Sequence, residues 1–251
     1  GYKVEADARL KEGEIAGVAF AGATAKALYD NTALNLTGIE SSVFGGRGEG
    51  EFLLPIASGV ASRAKGKFSN LQTSEVLTYV VSQSGLKIFE KIPVAGLVSG
   101  EGEIGFTGAN PESIGGNVIA RFEGRTTGTS DQLPIAGDAV ITASGGVFNF
   151  DKLEILAGQT KIDAVGNLSV TGDSELRIKL SSKQAEQLLQ IARSFEDARP
   201  YIAEYEPQII GDAEFEGILR SRKPNQSAGP GEIETTLEGS VNASTIGLRD
   251  A

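Results

Sequence analysis

An all-β fold carrying one or two short helices is predicted by three features: period-two alternation of apolar and polar residues, a recurring glycine-led unit, and only two stretches with helical spacing. The alternation opens at once, with Tyr2, Val4, Ala6, Ala8 and Leu10 set against Lys3, Glu5, Asp7 and Arg9. Successive strand side chains point to opposite faces, so this segment has one apolar and one charged face. Leu176, Ile178 and Leu180 alternate in the same way with Glu175, Arg177 and Lys179, and Ile233, Leu237 and Val241 with Glu234, Glu238 and Asn242.

The recurring unit is Gly, an acidic or amide residue, then apolar positions separated by one residue, Thr or Glu, and a small residue. It reads Gly102-Glu103-Ile104-Gly105-Phe106-Thr107-Gly108, then Gly137-Asp138-Ala139-Val140-Ile141-Thr142-Ala143. It returns as Gly166-Asn167-Leu168-Ser169-Val170-Thr171-Gly172 and Gly211-Asp212-Ala213-Glu214-Phe215-Glu216-Gly217. The uneven spacing suits hairpins of variable loop length better than a helical solenoid. The leading glycine is expected to serve a turn entering a strand, where positive φ is needed. Phe148 and Phe150 take even positions while Leu153 and Ile155 take odd ones, which places a turn or bulge near Asp151 and Lys152.

Two stretches follow a helical period. At residues 73–84, Val76, Leu77, Val80 and Val81 follow Thr73 and Ser74, which are placed to cap. At 182–198, Ala185, Leu188, Leu189, Ala192 and Phe195 form one stripe, with Ser181 or Ser182 as cap and Pro200 as stop. Residues 222–231 hold two prolines and no periodicity, and read as an exposed loop.

The 251 residues, 40% hydrophobic, suffice for a continuous apolar layer. A net charge of -10 disfavours nucleic acid, which requires clustered Lys and Arg. No Cys or His is present, so Ser-His-Asp and Cys-His catalysis and thiolate metal sites are excluded within the chain. Neither a metal nor a cofactor is expected. No run approaches the apolar length of a membrane helix, and the absence of Met fits a segment of a longer protein, 1–251 being one continuous repeating unit with any anchor outside it. Glu101 with Glu103 and Glu214 with Glu216 have the i, i+2 spacing that puts two carboxyls on one strand face; an acid–base pair is conceivable there, but a solvated face is expected. Gly100-Glu101-Gly102-Glu103-Ile104-Gly105 satisfies G-x-G-x-x-G, yet a dinucleotide site requires a helix after it and a strand is expected instead.

What remains is the apolar face. Ile104, Phe106, Val118, Ala120, Phe122, Ile141, Ile162, Leu168, Leu176, Ile178 and Phe215 share one phase, opposite Arg121, Glu123, Lys161, Asp163, Arg177 and Lys179. A sandwich, or another closed structural β protein, would bury this face between layers. A module that adds a partner strand to its open edge would use its backbone instead.

Ser42-Val43-Phe44-Gly45-Gly46-Arg47-Gly48-Glu49-Gly50 resembles the strand-turn-strand element of the AsmA-like superfamily, and Phe68-Ser69-Asn70-Leu71-Gln72-Thr73-Ser74-Glu75-Val76-Leu77 is similar to its strand-to-helix insertion. Residues 97–108, 135–180 and 211–241 look like the repeating strands of the TamB family, most of all Ser174-Glu175-Leu176-Arg177-Ile178-Lys179-Leu180 leading into a helix. This resemblance implies a long, curved, open β-sheet forming a groove whose apolar interior holds phospholipid acyl chains, with the eleven residues above lining it. It also implies the periplasm of a diderm bacterium, an inner-membrane anchor outside this chain, and an Omp85-type outer-membrane barrel as partner of other parts of the parent protein.

Overall fold

The computed structural model describes residues 2–15, 18–84, 94–108, 110–124, 132–169, 173–193, 198–205, 208–222 and 234–247. The strands are β1 (Val4–Ile15), β2 (Val18–Tyr29), β3 (Ala33–Val43), β4 (Gly46–Pro55), β5 (Ser62–Gln72), β6 (Val94–Thr107) and β7 (Asn110–Gly124). They continue as β8 (Leu133–Ser144), β9 (Val147–Ala157), β10 (Thr160–Ser169), β11 (Ser174–Ser182), β12 (Gln208–Arg222) and β13 (Glu234–Gly247). Helix α1 (Thr73–Ser84) joins β5 to β6, while α2 (Ala185–Ala192) and α3 (Ala198–Tyr205) lie between β11 and β12. All 13 strands form one open sheet in sequence order, each antiparallel to its neighbours, with β1 and β13 at the edges.

Directly opposed residues in antiparallel strands share a face, so the register defines two surfaces. One row of opposed residues runs Ile39, Gly50, Gly66, Gly102, Val118, Ile141, Phe150, Gly166, Leu176, Leu219 and Leu237, from β3 to β13. A neighbouring row on the other surface includes Glu49, Lys67, Glu101, Ile119, Val140 and Lys152. One surface is thus apolar over its whole width and the other mostly charged.

Bulges keep the phase. Where apolar residues fall three apart rather than two, the ladder slips by one residue and both remain on the same side; this occurs at Leu36 and Ile39, Phe68 and Leu71, and Phe150 and Leu153. At the last, Val140 faces Lys152 and Ile141 faces Phe150, so the bulged residue is Asp151, as the sequence phase shift indicates. The Thr142 hydroxyl donates to its carboxylate at 2.8 Å.

The leading glycines of the repeat do not serve turns. Gly102, Gly137, Gly166 and Gly211 lie inside strands. At Gly137 (φ 144°) and Gly166 (φ 139°) a Cβ would collide with the carbonyl oxygens of Glu154 and Glu175 on the adjacent strands, so the glycine permits close backbone approach within the ladder. Elsewhere on the apolar surface, rings cover the bare backbone: Phe68 lies against Gly100, and Phe215 against Gly217 and Gly239.

Both helical insertions land on the apolar surface at the same end of the strands. Val76 of α1 packs on Leu71, Val98, Ala120 and Ala139, Leu77 packs on Val94, Ile135 and Ile155, and Tyr79 meets the Phe44 ring at 5.7 Å. Thr73 is buried without a hydrogen-bond partner, so its expected capping role is not realised. Ala185 and Leu188 of α2 pack on Ala213, with Leu180 and Ala243 beside them.

The helix expected at 182–198 is shorter and is followed by another. Ser182 ends β11 because its buried hydroxyl is engaged by Thr160 (3.0 Å) and by the Gln184 backbone N–H (3.1 Å), so α2 starts only at Ala185. Pro200 does not stop a helix. It sits in the first turn of α3, where its missing N–H costs nothing. Of the loop expected at 222–231, Arg222 belongs to β12 and the remainder lies outside the described residues.

Candidate functional site

The register puts all eleven residues singled out from the sequence on the apolar surface: Ile104 and Phe106 on β6, Val118, Ala120 and Phe122 on β7, Ile141 on β8, Ile162 and Leu168 on β10, Leu176 and Ile178 on β11, and Phe215 on β12. Val118 directly opposes Ile141, and the same row reaches Leu176 three strands further on. Ile162 and Phe215 each flank Leu180 from opposite sides. Ile178 stands between Ala164 and Gly217, so its side chain rises from a floor of small residues.

Ten of these side chains retain solvent contact, Ile104 being 37% exposed. Ala120 does not. It lies 8% exposed within a cluster that includes Phe68, Phe122 and Leu153, and therefore supports the surface from below.

The candidate set left out the other half of this surface, although Leu237 and Val241 already read as an apolar strand face. Leu36, Phe52, Leu54 and Phe68 extend it toward β3, while Phe148, Phe150, Leu219, Leu237 and Val241 complete it toward β13. Phe52 and Phe106 stack at 6.3 Å across β5, where the intervening Ala64 is too small to separate them. The signal was available in the three-residue apolar spacings, which hide a strand from a strict period of two.

Leu54 (42%), Leu237 (42%) and Val241 (49%) are large apolar side chains left open on this surface. Among the described residues α1 and α2 cover one rim and no second sheet faces it. Large apolar side chains left exposed on one surface are a feature that binding surfaces share.

The opposite surface is an ion-pair lattice. Glu101 meets Lys67 (3.7 Å), Glu103 meets Arg63 (3.0 Å), and Glu216 meets Lys179 (2.6 Å). Glu101 and Glu103 thus sit in solvent against cations, and Glu214 with Glu216 shares the same surface. Hydrogen bonding and the charge of Glu216, with a smaller contribution from Glu214, hold the Lys179 ammonium above its ordinary pKa. A cleft of about 580 Å³ lies between two rows of this surface, walled by Val165, Arg177, Ile218 and Glu238 on one side and by Asp163, Lys179, Glu216 and Ser240 on the other. Gly100 to Gly105 lie inside β6, which runs on to Thr107 and then to β7, so the helix required for a pyrophosphate site is not next in the chain. Among the described residues no group of three or more His, Cys, Asp or Glu is arranged to hold a metal.

Fold and surface together define an open antiparallel β-sheet protein whose apolar face, among the described residues, is covered at one rim by α1 and α2. No family model, curated protein or solved structure matches the chain.

Proposed function

We propose that this chain is a non-catalytic lipid-binding and lipid-transfer segment of a bacterial envelope protein of the AsmA-like, TamB type, holding phospholipid acyl chains along its apolar face between inner and outer membrane. One observation carries this reading: the row continues from β3 to β13 without a charged residue, and of its large side chains Leu219 is buried, Leu237 is exposed and the others keep partial solvent contact. The eleven strands from β3 to β13, about 4.8 Å apart, give a strip roughly 48 Å across, longer than one extended lipid tail. A phospholipid with about 30 methylenes would need about 24 kcal/mol to enter water at about 0.8 kcal/mol each, so an apolar track lowers the barrier with neither nucleophile nor cofactor. In this reading the chain acts in the periplasm, and any contact with an Omp85-type barrel is made by other parts of the parent protein. A closed-core structural role would require a second layer over the face, which the described residues do not supply.

Native mass spectrometry of the gently purified chain tests the proposal. Co-purified phospholipid, or its uptake from added vesicles, is the expected result. A chain that stays folded and takes up no phospholipid by either route refutes it.

A further inference from the structure

Helices α1 and α2 lie on the apolar surface at the same end of the strands, but they are seated differently. A side chain ties α2 to the sheet: the Gln187 carboxamide oxygen accepts from the Gln159 N–H (2.8 Å) and from the buried Thr160 hydroxyl (3.3 Å). Helix α1 begins instead with a defect. Its first residue, Thr73, is fully buried and the hydroxyl has no hydrogen-bond partner. A buried hydroxyl left unpaired has lost its water without replacement, so it disfavours the seated position of the helix.

The rest of α1 does little to offset this. Thr73, Val76, Thr78, Val80 and Val81 are β-branched, a poor composition for a helix of 12 residues, which is marginal on its own and depends on the face beneath it. The Thr78 hydroxyl donates to the Ser74 carbonyl inside the helix (2.8 Å), a bond that does not reach the sheet. Val76 and Leu77, which meet the sheet, are half-buried, and Val80 is 47% exposed. Beneath them lie Leu71, Val98, Ala120 and Ala139 under Val76, and Val94, Ile135 and Ile155 under Leu77, all buried. This covered patch is continuous with the open apolar surface, because Ala120 and Ala139 stand one row from Val118 and Ile141 on the same two strands.

We propose that α1 is a displaceable lid, seated on the apolar surface in the empty protein and yielding that patch to an acyl chain. Opening hydrates the Thr73 hydroxyl, and methylenes of the ligand replace Val76 and Leu77 over the buried cluster, so the open form is favoured once a chain is present. The proposal rests on the lipid-binding reading of the same surface. It makes α1 a competitor of the ligand, with apparent affinity proportional to the fraction of molecules whose lid is open. A looser lid therefore binds lipid more tightly, and a firmer lid less tightly.

Hydrogen exchange and titration with a fluorescent phospholipid, both on the full chain, test the lid. Without lipid, α1 amides are expected to exchange faster than those of α2 and β6 through local opening, and faster again with lipid bound. Val76→Ser loosens the seat and should both speed α1 exchange and tighten phospholipid binding about fivefold. Thr73→Val keeps the shape and removes the unpaired hydroxyl, so it should slow α1 exchange and weaken binding about tenfold. Val80→Ser, on the exposed side of the helix, should leave both within about twofold. Circular dichroism on every variant confirms that the strands persist, and if Val76→Ser fails to fold, Thr73→Val decides alone. Exchange of α1 as slow as that of β6 overturns the proposal, as does phospholipid binding that Thr73→Val leaves unchanged or tightens. A parent chain that binds no phospholipid sinks the lipid reading and the lid with it, whereas binding that ignores these substitutions sinks the lid alone.

Discussion

Ile178→Asp tests whether the apolar surface is the binding surface. Ile178 is half-buried and directly opposed by Ala164 and Gly217, with the Phe215 ring lying over Gly217 and Gly239, so a group placed there has apolar neighbours. Arg177 and Lys179 flank it in the chain but project from the other surface, so the new carboxylate gains no cation. In the free protein it stays hydrated, and the cost to folding is that of losing a half-buried aliphatic chain, about 1 kcal/mol. Under an acyl chain it must shed water unpaired, which costs several kcal/mol. At about 3 kcal/mol, affinity falls roughly 100-fold. Lys179→Asp is the control: it breaks only an exposed, weak ion pair with Glu216 and touches only the charged surface. Titration with a fluorescent phospholipid, alongside urea denaturation, measures both. If folded Ile178→Asp binds within about threefold of the parent, or if Lys179→Asp loses as much, the assignment of the apolar surface is wrong.

Gly137→Ala should lower stability by about 2 kcal/mol or more in urea, because its Cβ meets the Glu154 carbonyl at a φ unfavourable to other residues; Gly115→Ala, whose nearest contact is ordinary at 3.5 Å, should cost under about 1 kcal/mol. Gln187→Ala removes the acceptor of the Gln159 N–H (2.8 Å) and a partner of the buried Thr160 hydroxyl, so amide exchange in α2 should accelerate as about 1–2 kcal/mol of anchoring is lost. The Asp30 carboxyl is held below its ordinary pKa by the Thr32 hydroxyl and then by the Thr32 and Ala33 amides. Its contribution is therefore present above the ordinary aspartate value and lost as pH falls through the lower folded one; Asp30→Ala should abolish this part of the decline in urea midpoint between about pH 5 and pH 2. Gln in place of Glu101 and Glu103, or of Glu214 and Glu216, should leave lipid uptake unchanged in the same titration, and loss of uptake without unfolding would give these carboxylates a role in function.

Strand identity and facing were legible because each strand carries its own alternation, and Asp151 was legible because a bulge leaves a phase slip in one strand. Features that depend on two strands were not. The pairing of Phe215 with Gly217 and Gly239, and of Phe68 with Gly100, exists only once neighbours are in register. The glycines of the repeat were assigned to turns because a single chain gives no sign of the carbonyl that approaches them from the next strand. Pro200 was taken as a stop because its helical tolerance depends on whether a first turn begins just before it, which the stripe at 182–198 concealed. Ala120 joined the candidate surface by phase alone, and phase does not reveal that Phe68 and Phe122 close over it.

The open apolar face also bears on how the sheet persists where the described residues supply no second layer. Every described strand but the edges is paired on both sides, so the backbone is satisfied without a sandwich partner. Register, which a sandwich core would otherwise enforce, is set here by complementary charges: basic Arg63 and Lys67 of β5 meet acidic Glu103 and Glu101 of β6, and Lys179 of β11 meets Glu216 of β12. Each exposed pair is individually weak. A slip by one residue, however, would turn these charges onto the apolar side and the apolar row into solvent. Order therefore comes from the charged surface and from local pairing between consecutive strands, which leaves the apolar surface free to carry a ligand instead of a core.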